Sequence, residues 1–546
     1  MVSKFINVKS KTITSAAMLL AAASLLSRFV GILRDRMLSG TFGAGAELDA
    51  YYAAFRLPDL IYNLFVLGAI TAGFIPVFTK YLAEDSKEEE LGEAANTLAS
   101  LLFTVLGVAL SVAAIIGIIA APGFVPLLTP GFSGHELELT VALTRIMFLS
   151  PVLLGLSGVL GGILQTRRRF LIYALAPVLY NVGIIVGILA FAPKFGVAGV
   201  AWGVVIGAAL HMAVQFFACR SLGFRFRPSW NLKHDGLRQV WRLMIPRTAG
   251  LAVSQVNLAI LTGVASTVGA GGIAVFNLAN NLQSFPIGII GVSFAVAAFP
   301  LISEYAARGK NDDFIESYAK TVRSVLFLIV PATIGFLLLR AQIVRVILGT
   351  GHFDWRDTID TADALAFFTL SLFAQALLPL VTRAFFAYHD VRTPLYAGVV
   401  AVISERALAW YLVSRGMGTP GLALAFSAGC ILNLAVLWVL LRRRVGNLGE
   451  AKIMKPLLMM SGAGALMAIT VQAAKLTLGN VVNMQTFIGI FTQGAVAGVL
   501  GLAVYVGAAV LMGSEDARRV ISMYARKAQP VPASEIVQEA QDITAE

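Results

Sequence analysis

Fourteen stretches of mostly apolar residues, nearly all of twenty residues or more, follow one another along this chain and leave room for little except a bundle of membrane-spanning helices. A window of about 19 residues places them near 13–38, 48–79, 95–121, 139–165, 170–192, 197–219, 239–267, 272–304, 317–339, 359–387, 394–414, 420–441, 455–476 and 487–512. A helix rising 1.5 Å per residue needs about twenty residues to cross a hydrocarbon core of about 30 Å. Hydrophobic residues make up 58% of the sequence and charged ones 13%, against roughly 25% charged in soluble domains. The expected class is an all-α polytopic membrane protein with about fourteen transmembrane helices.

The net charge of +12 is a topology signal. Of the 42 Lys and Arg residues, 28 fall in the N-tail, the C-tail and alternate loops, six in the opposite loops, and eight within spans. Basic residues collect on the cytoplasmic side, so both termini are expected there. The natural partner of that basic face is anionic membrane lipid, not nucleic acid. The runs Arg167-Arg168-Arg169 and Arg442-Arg443-Arg444 read first as retention anchors. Two cysteines, Cys219 and Cys430, form no disulfide framework, and five scattered histidines show no metal-ligand spacing. The N-terminal apolar helix runs past Ala21-Ala22-Ala23 to Leu38, which argues against a cleaved signal peptide.

An internal repeat organises the spans. The turn Gly43-Ala44-Gly45 corresponds to Gly269-Ala270-Gly271 at an offset of 226, and Pro76 to Pro300 at an offset of 224. Six spans separate equivalent points, and an even number preserves orientation, so two parallel lobes related by an axis along the membrane normal are expected. The boundaries read as an N-tail at 1–12, an N-lobe at 13–222, a cytoplasmic linker at 223–238, a C-lobe at 239–445, two added spans at 446–512 and a polar tail at 513–546.

Charge concentrates where the first two spans meet. The helices flanking Gly43-Ala44-Gly45 carry Arg28, Arg34, Asp35, Arg36, Asp49, Arg56 and Asp59. An arginine at the bilayer centre costs roughly 2.5–3.5 kcal/mol, so such charges face a polar cavity or a partner. Counting along the helices puts Arg28 and Arg56 both about 18–24 Å below the turn. Arg28 and Asp35 are seven residues apart, as are Asp49 and Arg56, so each pair shares a helical face. Two readings stand side by side: internal Arg–Asp pairs that lock the hairpin, and a water-filled cavity whose two cations receive an anion. In the second hairpin the corresponding places hold Ser254-Gln255 and the amides Asn280, Asn281 and Gln283, a neutral hydrogen-bonding wall. Arg247 reads equally as a cation at the inner mouth and as an interface anchor.

Other charges are less specific. Glu405 and Arg406 lie midway along the eleventh span, about 100° apart around the helix, so each is expected to need a different partner. Glu405 reads as a structural pair member or as a carboxylate for ion coupling. Arg145 and Arg383 are ambiguous between anchor and cavity. The stretch from Arg340 to Asp363 reads as an outward polar loop or partial gate. Its Asp354, Asp357 and Asp360 lack the partners a membrane-embedded transferase would need, and an enzyme is not expected.

The stretch SRFVGILRDRMLSGTFGAGAELDAYYAAFRLPD (27–59) resembles the opening of the MurJ (MviN) lipid II flippases of the multidrug/oligosaccharidyl-lipid/polysaccharide exporter superfamily. GAITAGFIPVFTKY, APVLYNVGII, SFPIGIIGVSFAVAAFPLIS and FFAYHDVRTPLYAG are similar as well. The resemblance implies two six-helix lobes around a cavity open alternately to each side, and two C-terminal helices bordering a groove for a polyprenyl tail. It implies as cargo lipid II, the undecaprenyl-diphosphate-linked disaccharide-pentapeptide, moved from the inner to the outer leaflet of a bacterial cytoplasmic membrane for peptidoglycan synthesis. Arg28, Arg34, Asp35, Asp49 and Arg56 match the family's polar cavity positions. The chain departs from the family at Tyr62, Leu67, Asn280, Asn281 and Ser284, where charged residues are usual, so Arg28, Arg56 and Arg247 would carry more of the anion binding. Two alternatives stay open: a flippase for another polyprenyl-linked glycan, and a cation-coupled small-molecule exporter of the same superfamily. No cofactor is expected; sodium, protons or the membrane potential would all fit as the driving force, and the chain is expected to act as a monomer.

Overall fold

The computed structural model describes residues 13–67, 69–84 and 91–519. The expected N-tail at 1–12, most of the tail at 513–546 and the acidic run Glu88-Glu89-Glu90 lie outside the described residues. In chain order the helices are α1 (Ile13–Phe42), α2 (Ala46–Ala54), α3 (Arg56–Tyr62), α4 (Ile75–Glu84), α5 (Glu93–Leu128), α6 (Gly134–Met147), α7 (Leu149–Thr166), α8 (Phe170–Val186), α9 (Ala192–Phe195), α10 (Val197–Ser221), α11 (Asp235–Ser266), α12 (Gly272–Pro286), α13 (Ser293–Ala307), α14 (Asn311–Leu338), α15 (Arg340–Leu348), α16 (Trp355–Thr369), α17 (Leu372–Ala387), α18 (Arg392–Ser414), α19 (Gly418–Val445), α20 (Glu450–Gly479) and α21 (Phe487–Leu511). Wide π-helical turns join α3 to α4, α8 to α9 and α12 to α13. Among the described residues there is no strand.

By length and composition, ten helical segments among the described residues can cross a membrane. An eleventh follows if α16 and α17, bent by 45° at a short break, count as one span. The three other stretches expected to span, 13–38, 48–79 and 239–267, are helical here too. The stretch from Arg340 to Asp363 differs from the loop expected of it. Arg340–Leu348 is a helix and Trp355 already begins the next, because apolar positions such as Val344, Leu348 and Phe353 are buried beneath its polar surface.

The chain divides into two compact units, Met1–Leu282 with Val344–Phe368 and Gly398–Gly429, and Gln283–Ile343 with Thr369–Ala397 and Cys430–Glu546. The segment 239–445 thus contributes to both units, while the added spans at 446–512 belong to the second.

In the first unit, α8 and α10 cross with almost no space between their backbones. A β-carbon on Gly183 would lie 2.2 Å from Gly207 Cα, and one on Gly187 would lie 2.7 Å from Gly203 Cα. Glycines four apart on both helices permit that approach; in lipid, where apolar side chains gain little by leaving the solvent, close packing is what holds helices together. α1 lies along α8. The second span is interrupted rather than straight, with Pro58 and Pro76 in the first turns of α3 and α4, where a missing N–H is tolerated. Its C-terminal half is fixed by Phe74 and Phe78, whose rings lie 4.7 Å apart inside a core shared with Leu98, Leu102, Ile163 and Val240. That anchored half positions the charged half above it.

The second unit has its own core, in which Phe314, Tyr318, Ile329, Leu380, Phe385 and Tyr505 are almost fully buried. Several of its polar groups are matched across helices, as a bilayer favours. Tyr505 Oη donates to the Phe327 carbonyl at 2.9 Å, Gln342 to Gln493 at 2.8 Å, and Lys475 Nζ to the Leu338 carbonyl at 2.7 Å. These bonds tie α20 and α21 to α14 and α15.

Candidate functional site

The polar groups of the first hairpin form a seam with α11, α8 and the part of α12 before Gln283, all within the first unit. It begins at the turn. Gly43 has φ +66, and a β-carbon there would lie 2.9 Å from the His352 carbonyl. Gly271, at φ +89, packs so tightly on the Ala44 carbonyl that a β-carbon would approach it to 2.2 Å. The two small-residue turns identified by the repeat therefore touch.

Asp49, in the first turn of α2, is fully buried and accepts from the backbone N–H groups of Gly271 and Ala274, each at 2.6 Å. The first amides of a helix have no partner within it and carry the positive end of its dipole. The Asp49 carboxylate thus caps α12, and its lone pairs serve packing.

Arg56 begins α3, seven residues after Asp49. Its Nε donates to Thr262 Oγ1 and its Nη2 to Asn277 Oδ1, both at 2.7 Å. Both partners are neutral. Asp59, one turn on, is near enough to feel the charge, yet among the described residues it makes no ion pair with Arg56.

Arg34 and Asp35 neutralise each other at 2.7 Å, with the side chains 22% and 9% exposed. Arg34 Nη1 also donates to Asn181 Oδ1 at 2.9 Å, and Asn281 donates to Asp35 Oδ2 at 3.1 Å. Arg28 is half-buried on the same helix, and among the described residues no hydrogen bond or ion pair reaches it. Asp35 is therefore taken by a neighbouring arginine and Asp49 by helix amides, while Asp59 lies near Arg56 without forming an ion pair, and among the described residues neither Arg28 nor Arg56 is ion-paired with a carboxylate.

The partners on α12, at positions 274, 277 and 281, follow helical spacing and lie on one face. Asn280, half-buried, sits about 100° around from Asn281. Gln283, fully buried, exchanges hydrogen bonds with Gln375, the shorter at 2.8 Å. The side chains of Arg247, Ser254 and Leu67 lie outside the described residues. Tyr62 packs against the apolar core of the first unit.

Glu405 and Arg406 correct the expectation that neighbours on a helix cannot pair. Arg406 Nη2 lies 3.1 Å from Glu405 Oε1, and the same guanidinium donates to the Asn257 side chain. The 100° between adjacent residues separates β-carbons, whereas the long arginine stem folds back across that angle. Glu405 is 5% exposed and already faces a cation.

The stretch from Val346 to Asp357 is docked on the hairpin turn. Arg36 donates to the Val346 and Ile347 carbonyls, Ser39 to the Leu348 carbonyl at 3.0 Å, and His352 N–H to the Gly40 carbonyl at 2.8 Å. Asp357 Oδ2 accepts from Ala44 N–H at 3.0 Å. Sequence reasoning missed Thr262, Asn277 and Asn257 as partners of the charged residues. The signal was present, since each is a polar residue inside an apolar span. Among the described residues no group of three or more His, Cys, Asp or Glu converges as a metal site would.

A family model described as "Lipid II flippase MurJ" matches residues 38–492. The "Lipid II flippase MurJ" of Burkholderia cenocepacia is 29% identical over 437 residues, covering 79% of this chain and 84% of that protein. The "Probable lipid II flippase MurJ" of Bdellovibrio bacteriovorus is 29% identical over 527 residues, covering 95% and 98%. Among solved structures, "Lipid II flippase MurJ, inward closed conformation" superposes with a TM-score of 0.73 at 23% identity, over 92% of this chain and 100% of that one, a likeness of fold.

Proposed function

The chain belongs to the MurJ family of membrane transporters, and from that premise we propose that it moves lipid II from the inner to the outer leaflet of a bacterial cytoplasmic membrane. In this reading fourteen spans form two lobes that open alternately to either side, with both termini cytoplasmic, and the last two helices border the groove for the polyprenyl tail. The diphosphate pauses at Arg28 and Arg56. One observation carries this: among the described residues, neither arginine is paired with a carboxylate, although Asp35 and Asp49 lie on the same hairpin. A charge held in a membrane at that cost, with only neutral partners, is suited to an anion that comes and goes.

The seam sets the state of the cycle. Asp49 on the amides of α12 and Asp357 on Ala44 hold the turn-bearing ends together, and outward opening would break these bonds. Because Glu405 already holds Arg406, we assign the driving force to the membrane potential rather than to an ion on Glu405. An inside-negative potential pushes an anion outward, with about 2.3 kcal/mol per charge for each 100 mV.

The test is complementation of cells depleted of their own lipid II flippase. The chain is expected to restore growth and prevent accumulation of the cytoplasmic precursor, while Arg28→Ala and Arg56→Ala, inserted at normal abundance, fail to do so. A wild-type chain that leaves the precursor inside would point to another polyprenyl-linked glycan. Full activity in both variants would reject the anion role.

A further inference from the structure

The second unit contains a cavity of about 610 Å³ lined only by residues of that unit. Phe299, Leu378 and Phe386 give it an apolar wall; Arg383, Thr382 and Asn433 give it a polar one. Arg383 lies in the last turns of α17 and is half-buried. Its Nη1 donates to the Pro379 carbonyl at 3.3 Å, and among the described residues no carboxylate pairs with it. Most of its donors are left for something else. Asn433 Oδ1 is buried and accepts no hydrogen bond. Gln375, on the same wall, is already satisfied by Gln283 at 2.8 Å and Ser371 at 2.9 Å.

A guanidinium without an acid and a buried carbonyl without a donor are both costly in a bilayer. One ligand could answer both: an anionic oxygen for Arg383, an O–H or N–H donor for Asn433, and an apolar portion against the phenylalanines. We propose that this cavity binds the headgroup of an anionic amphiphile that carries a hydroxyl or amide donor beside its charge. Two sources have that chemistry. One is a glycerol-bearing anionic phospholipid; the other is the glycopeptide of the cargo, and that source rests on the proposed function.

The full chain, purified in detergent, is examined by native mass spectrometry with phosphatidylglycerol and, separately, phosphatidylcholine. A second arm titrates undecaprenyl-diphosphate-linked disaccharide-pentapeptide and follows tryptophan fluorescence. Arg383→Gln is expected to weaken one of the two anionic ligands roughly tenfold, the scale of one charge-assisted hydrogen bond, with phosphatidylcholine unaffected. Arg383→Lys keeps the charge and should retain part of the binding. A loss confined to phosphatidylglycerol assigns the phospholipid, and a loss confined to the glycopeptide assigns the cargo. Arg28→Ala is the control that separates the two sites, because it should weaken the cargo and leave phosphatidylglycerol alone. If wild type binds no glycopeptide, the proposed function fails while the phospholipid arm still decides this cavity. Should Arg383→Gln not fold, Asn433→Leu reads the same cavity and is expected to weaken the same ligand several-fold. Unchanged binding of both ligands in the folded variants overturns the proposal.

Discussion

The first hairpin and the second differ in what they bring to the same seam. The first supplies the charges, Asp35, Asp49 and Arg56; the second supplies neutral groups that meet them, the amides of Gly271 and Ala274 and the side chains of Thr262, Asn277 and Asn281. Equal charges on both hairpins would set like charges against each other across the seam; instead the neutral groups of the second hairpin solvate the charges of the first. Within the first hairpin the same contrast recurs, since Arg34 is ion-paired with the acid beside it, whereas Arg56 hydrogen-bonds only to neutral side chains and, among the described residues, Arg28 has no ion pair.

If this division is right, breaking the neutralised pair should cost the most. Arg34→Ala leaves Asp35, 6% exposed, as a buried carboxylate without its cation, a loss of about 3–5 kcal/mol. Thermal unfolding in detergent should show that loss, and Arg34→Leu with Asp35→Leu should recover most of it. A single variant that melts like wild type would mean the pair is not the buried unit described.

Asp49→Asn should cost less, about 1–2 kcal/mol, because one acceptor oxygen survives and the charge on the cap is lost. Its second readout is conformational. With the seam weakened at α12, cysteines placed on either side of the turn should become more accessible to a membrane-impermeant thiol reagent. Unchanged labelling would detach the seam from opening.

The all-helical, apolar character of the chain was legible in the sequence because apolar length leaves a direct mark, and glycine placement matched the two small-residue turns to each other, although nothing in that match said that they touch. The fate of individual charges was less so. Helical spacing put Asp35 with Arg28 and Asp49 with Arg56, yet the carboxylates went to Arg34 and to backbone amides. A spacing rule locates β-carbons; it does not count the donors that a neighbouring helix end presents. Glu405 and Arg406 were misjudged for the same reason, since a long stem outreaches the angle at its root. Thr262 and Asn277 are marked in the sequence as polar residues inside apolar spans, but that mark does not say which arginine each of them meets.

Outside the spans, Asp390 gives the smallest effect and a control for the seam. The Thr393 backbone N–H and hydroxyl, with Arg444 at 2.7 Å, hold its carboxyl below the usual carboxylate range. A carboxyl held low in the folded state adds stability above its unfolded pKa, and that stability is lost as the pH falls through the folded value. Below about pH 4, wild type should lose melting temperature slightly more steeply than Asp390→Asn, while cargo binding at neutral pH is unchanged in that variant. Equal pH slopes would remove Asp390 from the account.

The central claim concerns two arginines without acids, and a binding comparison tests it most directly. Purified wild type is titrated with a polyprenyl diphosphate and with the uncharged polyprenol of equal length, and the same is done for Arg28→Ala with Arg56→Ala. The account predicts that wild type prefers the diphosphate by roughly a hundredfold, the scale of two charge-assisted contacts, and that the double variant loses the preference while still binding the polyprenol. A double variant that keeps the full preference for the diphosphate would contradict it.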